Sequence, residues 1–243
     1  MKKLTNLNAL MVAGALSISS AIPLSAATSA TIFDNTSNDL GIRFNPGNYE
    51  VGDQIILAGT QRWLQTFAFE FWGTNTASPD NTSFSGNVEA RVRFYQNNGP
   101  LTVTGYPTPA AVPFYDSFWF GGFGPTARDT FNFLAGVDFP VEGVFIPANE
   151  FTWTVQFQGL NATDTLGVDI FSPPTIGNDY SDYWQNDPTQ GWQMLTNIVS
   201  PGAMDFAAKI TANQNVPEPS AVALTLVGGL GMLGWSYRLR RKK

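Results

Sequence analysis

Apolar and polar residues alternate with a period of two along much of the chain. The alternation is cleanest at residues 66–72, where Phe67, Phe69 and Phe71 point one way and Ala68, Glu70 and Trp72 the other. Residues 87–95 repeat the scheme with Val88, Ala90, Val92 and Phe94 on the apolar face and Glu89, Arg91, Arg93 and Tyr95 on the reverse, where cross-strand ion pairs can satisfy the charges. Residues 151–157 do so again, with Phe151, Trp153, Val155 and Phe157 inward. Shorter strands are expected at residues 31–33, 54–57, 114–120, 130–133, 144–146, 168–170 and 206–211. Turn signals separate them: Asn45-Pro46-Gly47-Asn48, Ser78-Pro79-Asp80-Asn81, Asn97-Asn98-Gly99-Pro100, Gly121-Gly122 and Ser172-Pro173-Pro174. No soluble amphipathic helix and no fixed repeat is legible. The pattern predicts an all-β domain, an antiparallel jelly-roll-like sandwich of two packed sheets, with a closed barrel as the alternative. Pro-rich residues 105–113 read as a surface loop within one domain.

The two ends break this pattern. Met1-Lys2-Lys3, an apolar run at residues 10–18 and small residues Ser25, Ala26 and Ala27 have the layout of a secretory signal peptide, residues 1–27, cut after Ala27. A buried N-terminal helix is the weaker reading, because the run is short and carries signal features on both flanks. At the other end Val216, Pro217, Glu218, Pro219 and Ser220 precede a nearly uncharged stretch, residues 221–237, and then Arg238, Arg240, Arg241, Lys242 and Lys243. A span needs about 20 apolar residues, with roughly 17 as the lower limit, so 221–237 predicts a short membrane helix. Its glycines suit lipid better than water. The terminal cations hold that end on the cytoplasmic side, which places residues 28–215 outside. Pro217 and Pro219 keep the backbone before the span extended, the form a processing enzyme can grip. A simple tail anchor with an accidental Pro-Glu-Pro linker is the alternative.

This order of tripeptide, span and basic cluster in residues 216–243 resembles the PEP-CTERM sorting tail of exported bacterial proteins. The resemblance implies an exosortase-type membrane protease as partner, cutting near Pro217-Glu218-Pro219, and an association with the envelope or exopolysaccharide. Residues 50–60, the strand at Phe67 to Phe71 and residues 87–95 look like the β-sandwich ectodomains that precede such tails. In a bacterium the triplets beginning at Asn35, Asn81 and Asn161 are loop sequence rather than glycan acceptors.

Composition narrows the chemistry. The chain has no Cys and no His, so it has no disulfide framework, no Ser-His-Asp or Cys-His nucleophile and none of the usual zinc sites. Residues 28–215 carry six basic against eighteen acidic residues, a net charge of −12, the opposite of what nucleic acid requires. No cofactor is implied. Glycoside hydrolysis remains open because it needs only two carboxylates across a cleft. Glu70, Glu89, Glu142 and Glu150 are the candidates, against a reading in which each is a solvated strand residue and Glu89 pairs with a nearby arginine.

The stretch Asn178-Asp179-Tyr180-Ser181-Asp182-Tyr183-Trp184-Gln185-Asn186-Asp187 holds the richest run of oxygens. Asp179, Asp182 and Asp187 with a few carbonyls have the donor type calcium takes, although the spacing fits no standard calcium loop. The alternative is that they form turns. Tyr180, Tyr183, Trp184 and Trp192 are candidates for a carbohydrate-binding face, since a sugar ring offers an apolar side and a rim of hydroxyls. Core packing is the competing explanation for these rings, as it is for Trp72 and Trp119. The leading expectation is an exported, non-enzymatic surface or matrix protein, with a carbohydrate-binding module and then a glycosidase as alternatives.

Overall fold

The computed structural model describes residues 28–78, 80–196 and 203–214. Among these the regular structure is entirely β: β1 (Ala30–Asp34), β2 (Asp39–Phe44), β3 (Glu50–Ile56), β4 (Trp63–Asn75), β5 (Glu89–Tyr95), β6 (Tyr115–Asp116), β7 (Thr126–Leu134), β8 (Val144–Phe145), β9 (Glu150–Gln158), β10 (Asp164–Phe171), β11 (Asn178–Asp179), β12 (Asp182–Asp187), β13 (Gly191–Thr196) and β14 (Ala208–Asn213). They form two antiparallel sheets, as expected of a β-sandwich. The first runs β1-β14-β4-β10-β2 with β7 and β8 also on β4, and the second runs β13-β12-β3-β9-β5-β6 with β11 also on β3.

The Phe-rich strand is the centre of the first sheet. β4 is 13 residues long and pairs with β10 and β14 along one edge and with β7 and β8 along the other. Its alternation decides which face is dry. Phe67 and Phe69 are fully buried, and Phe67 meets Phe94 at 5.0 Å and Trp153 at 5.2 Å between ring centroids, both edge to face. Those two rings come from β5 and β9, which pair as Phe94↔Trp153 in the second sheet. Each such ring contributes about 2–3 kcal/mol by leaving water, so the pattern of residues 66–72, 87–95 and 151–157 is itself the core.

The structure departs from the expected strands where tertiary pairing outweighs local preference. The expected strand at residues 114–120 shrinks to Tyr115–Asp116, because Phe118 adopts φ of 55°, a left-handed conformation that cannot continue a strand. β2, β11, β12 and β13 were not expected. In β12 and β13 the turn-forming residues Asp182, Asn186 and Asp187 are carried into a hairpin by pairing with β3 and by burial of Trp184. The Pro-rich loop folds into a small hairpin, closed by the Leu101↔Pro107 bridge, and lies alongside β13.

Candidate functional site

The four aromatic residues expected to form a carbohydrate face do not share one. Register places Trp184 opposite Met194 and Asn186 opposite Trp192, so Trp184 and Trp192 sit on the outer face of the second sheet. Tyr183, one residue before Trp184, points to the other face and packs edge to face on Phe44 at 5.1 Å and against Phe206 at 6.0 Å. Trp184 is fully buried, and its indole N–H donates to Gln54 Oε1 at 2.9 Å. It offers no surface to a sugar. Tyr180 is exposed, and its hydroxyl donates to Glu150 Oε2 at 3.3 Å. Trp192 is half-buried and stands edge to face on Tyr95 at 5.3 Å. It lines a cleft of about 770 Å³ between β13 and the Pro-rich hairpin, together with Met194, Leu101 and Val103.

The outer face of the second sheet is polar but buried, and it is organised around Glu50. Its Oε1 accepts from the Tyr95 hydroxyl at 2.9 Å and the Thr154 hydroxyl at 2.7 Å, and its Oε2 accepts from the Asn186 amide at 3.1 Å and pairs with Arg93 at 2.6 Å. Burial first, and then the Glu50 charge, push the Tyr95 hydroxyl well above its ordinary range. Arg91 and Arg93 both reach Asp116. The expected ion-paired sheet surface is therefore present with different partners. Glu89 accepts from Gln158 at 2.7 Å, and Asp116 and Glu50 take the arginines.

The four candidate glutamates do not converge. Glu70 lies on the outer face of the first sheet, buried and bound to Arg128, and Glu142 is exposed in the connection between β7 and β8. Glu89 stands opposite Gln158 and Glu150 opposite Ile56, at the two ends of β9. At about 3.3 Å per residue the two ends lie roughly 26 Å apart, against the roughly 5–10 Å that glycoside hydrolysis needs.

The strongest electrostatic anomaly lies between the sheets, where β3 and β11 meet the segment leading into β14. Four carboxylates gather there: Asp53, Asp179, Asp182 and Asp205. Asp53 points inward from β3 and is fully buried. Its Oδ2 accepts the Phe206 N–H at 2.8 Å and its Oδ1 has no partner. Asp179 and Asp205 lie close enough for each to shift the other's titration. Asn35, also fully buried, places its amide nitrogen 3.5 Å from Asp179 Oδ2 while donating to the Phe171 carbonyl at 2.7 Å. Burial pushes all four carboxyls upward, and their mutual repulsion adds to it for Asp53, Asp179 and Asp205. No arginine or lysine among the described residues forms an ion pair with any of them.

Sequence reasoning reached half of this cluster. Asp179 and Asp182 belong to the stretch singled out for its oxygens. Asp187 does not join them: it caps its own turn, accepting from Thr189 N at 2.7 Å and Gln190 N at 3.0 Å, as a turn-former does. Asp53 and Asp205 escaped notice because they lie outside that stretch, Asp53 on a strand far earlier in the chain. An Asp at an inward position, between Val51 and Ile55 in the alternation of β3, was the available signal. Among the described residues no group of three metal-ligating side chains is arranged to hold a metal ion.

The signal peptide at residues 1–27 and the tail at 216–243, including Val216, Pro217, Glu218, Pro219 and Ser220, lie outside the described residues. Comparison of the chain with protein-family models, with curated proteins and with solved structures found no match.

Proposed function

We propose that the chain is an exported, non-enzymatic surface or matrix protein. It is held in the membrane by residues 221–237 with its β domain outside, and it is cut near Pro217-Glu218-Pro219 by an exosortase-type protease. The observation that carries this reading is the order of the tail: a Pro-Glu-Pro tripeptide, an apolar span, then Arg238, Arg240, Arg241, Lys242 and Lys243. The strand order supports a jelly-roll reading of the domain. The sets β2-β10-β4-β7 and β3-β9-β5-β6 are interleaved as in two Greek keys, a scaffold that displays loops at its ends without any catalytic requirement. Replacing Pro217-Glu218-Pro219 by three alanines in a host with the sorting protease leaves the full-length form in the membrane fraction. Processing at the wild-type rate sinks the proposal.

A second reading, carbohydrate binding, keeps one observation in its favour: Trp192 lines the cleft beside the Pro-rich hairpin. An aromatic wall in a cleft of this size suits a sugar ring. Trp192→Ala abolishes polysaccharide retention on this reading, and retention equal to wild type removes it.

A further inference from the structure

We propose that the end of the sandwich built around the β7–β8 connection is a membrane-contact face, which lies on the zwitterionic lipid surface to which the domain is tethered. This face presupposes residues 221–237 as the span, and it adds which end of the domain meets the lipid. The first observation is where the chain leaves the domain. β14 finishes at Asn213, whose carbonyl accepts the Arg62 N–H at 3.1 Å, and the Arg62 carbonyl in turn accepts the Ile146 N–H at 2.7 Å. The exit therefore lies beside Phe145. Only residues 214–220 separate it from the span, and the steps from Asn213 to Ala221 reach at most about 29 Å when fully extended. β4 has 13 residues and is about 40 Å long, so that tether is too short to bring the opposite end of the first sheet down to the bilayer.

Exposed apolar side chains gather at this same end. Leu134, Val137, Val141 and Phe145 are all exposed, Val137 and Val141 by 77% and 75%. Phe145 stands 5.2 Å from the half-buried Trp63 between ring centroids. At the far end of the sheet the connections 76–88 and 159–163 expose no large apolar side chain among the described residues. The β7–β8 connection is also pinned in place. Ala135 N–H donates to the Gln65 carbonyl at 2.8 Å, Gly143 N–H to the Pro140 carbonyl at 2.7 Å, and Leu134 N–H to Asp138 Oδ2 at 2.9 Å. Apolar side chains held out in this way mark a contact surface. Residues 134–145 hold Asp138 and Glu142 and no Lys or Arg, so nothing there draws an anionic headgroup. The attraction is burial of apolar surface, with an aromatic pair suited to the interface.

The chain has no cysteine, so one introduced Cys carries an environment-sensitive dye at a single place. The test compares Val141→Cys with Thr82→Cys, which lies in the β4–β5 connection at the far end. Each is made in the full chain and reconstituted into phosphatidylcholine vesicles with a spin label at the top of the acyl chains. Retention of the chain through alkaline washing reports the span. The dye at Val141→Cys should be quenched roughly twofold or more, since an interfacial apolar face sits about 5–10 Å deep, while Thr82→Cys stays unquenched. Adding Val137→Asp and Phe145→Asp should abolish most of that quenching. A retained chain whose two labels are quenched alike, or not at all, overturns the face and leaves the span standing. Undiminished quenching in the aspartate variant assigns the closeness to the tether alone and overturns it too. So does a dye at Val141→Cys whose emission shifts to the blue without quenching, because a second copy then covers the face in place of lipid. Loss of the chain from washed vesicles removes the span, and the face with it.

Discussion

Two groups of carboxylates in this domain have been treated in opposite ways. On the outer face of the first sheet Asp39, Glu70 and Asp169 are laced by Arg43 and Arg128, with Arg43 3.0 Å from both Asp39 and Asp169 and Arg128 bound to Glu70. In the seam Asp53, Asp179, Asp182 and Asp205 have no described arginine or lysine in an ion pair. The first group finds its counter-charges within the chain. Asp169 shows the limit of such pairing: burial raises it to about 7 even though Arg43 pulls the other way, and neither of its oxygens has a hydrogen bond. With six basic residues for eighteen acidic ones in residues 28–215, the chain assigns its few cations to the outer faces of the sheets, and burial in the seam is met by raised carboxyl pKa values instead.

The largest expected effect breaks this comparison by sign. Arg93→Met strips the cation from Glu50, which is 4% exposed, and leaves a buried charge. The expected loss is about 3 kcal/mol, at the low end for a broken buried pair because Tyr95, Thr154 and Asn186 still donate. Urea unfolding checks it, and adding Glu50→Gln recovers most of the loss. In the seam the same kind of change works in reverse. Asp205→Asn removes one of several repelling charges, so it raises Tm, by about 2–4 °C for each kcal/mol of repulsion relieved. Destabilisation by Asp205→Asn refutes the view of the seam as uncompensated.

A weaker but broader effect is the dependence on pH. Burial, with the charge of Asp205, pushes Asp179 up to about 8, and burial pushes Asp205 to about 6, both from 3.8. A raised carboxyl binds its proton more tightly in the folded state. Its contribution is therefore fully present below about pH 4 and is lost as pH rises through the folded values, between roughly 4 and 8. Asp39 behaves oppositely. The hydrogen bonds from Arg43 hold it below 3.8, so its contribution is present above that pH and lost as acid protonates it. Urea unfolding should show stability lost from about pH 4 to pH 8, and Asp179→Asn should flatten that slope. A slope unchanged in Asp179→Asn places its origin outside the seam.

The fold was legible wherever one face of a strand was dry. The alternation Phe67-Phe69-Phe71, repeated at Val92-Phe94 and at Trp153-Val155, is a direct record of burial on one side, and it led to the right class of architecture. It failed at β12, where Trp184 faces the outer side of its sheet and is buried there, hydrogen-bonded to Gln54, while Tyr183 is packed on the opposite side. A strand used on both faces loses its period, and its Asp and Asn residues then read as turn. The seam was legible only in part for a different reason. Asp179 and Asp182 are neighbours in sequence, whereas Asp53 reaches them through the pairing of β3 with β11, strands over 100 residues apart, and Asp205 through the docking of the segment before β14, neither of which a local pattern encodes.

The smallest effect sharpens the comparison most, because it comes from the same stretch of sequence. Asp187 stands five residues after Asp182 and carries the same carboxylate, yet hydrogen bonds from Thr189 and Gln190 hold its pKa low at the β12–β13 turn. Asp187→Ala removes those acceptors from a solvent-exposed turn, so it should lower Tm only slightly. Asp179→Asn should instead raise Tm at about pH 8, where burial and the charge of Asp205 make the ionised carboxylate costly. Melting both variants at that pH therefore separates proximity in sequence from membership of the seam. If Asp187→Ala raises Tm as Asp179→Asn does, the repulsion is spread along the exposed hairpin and the seam is not its source.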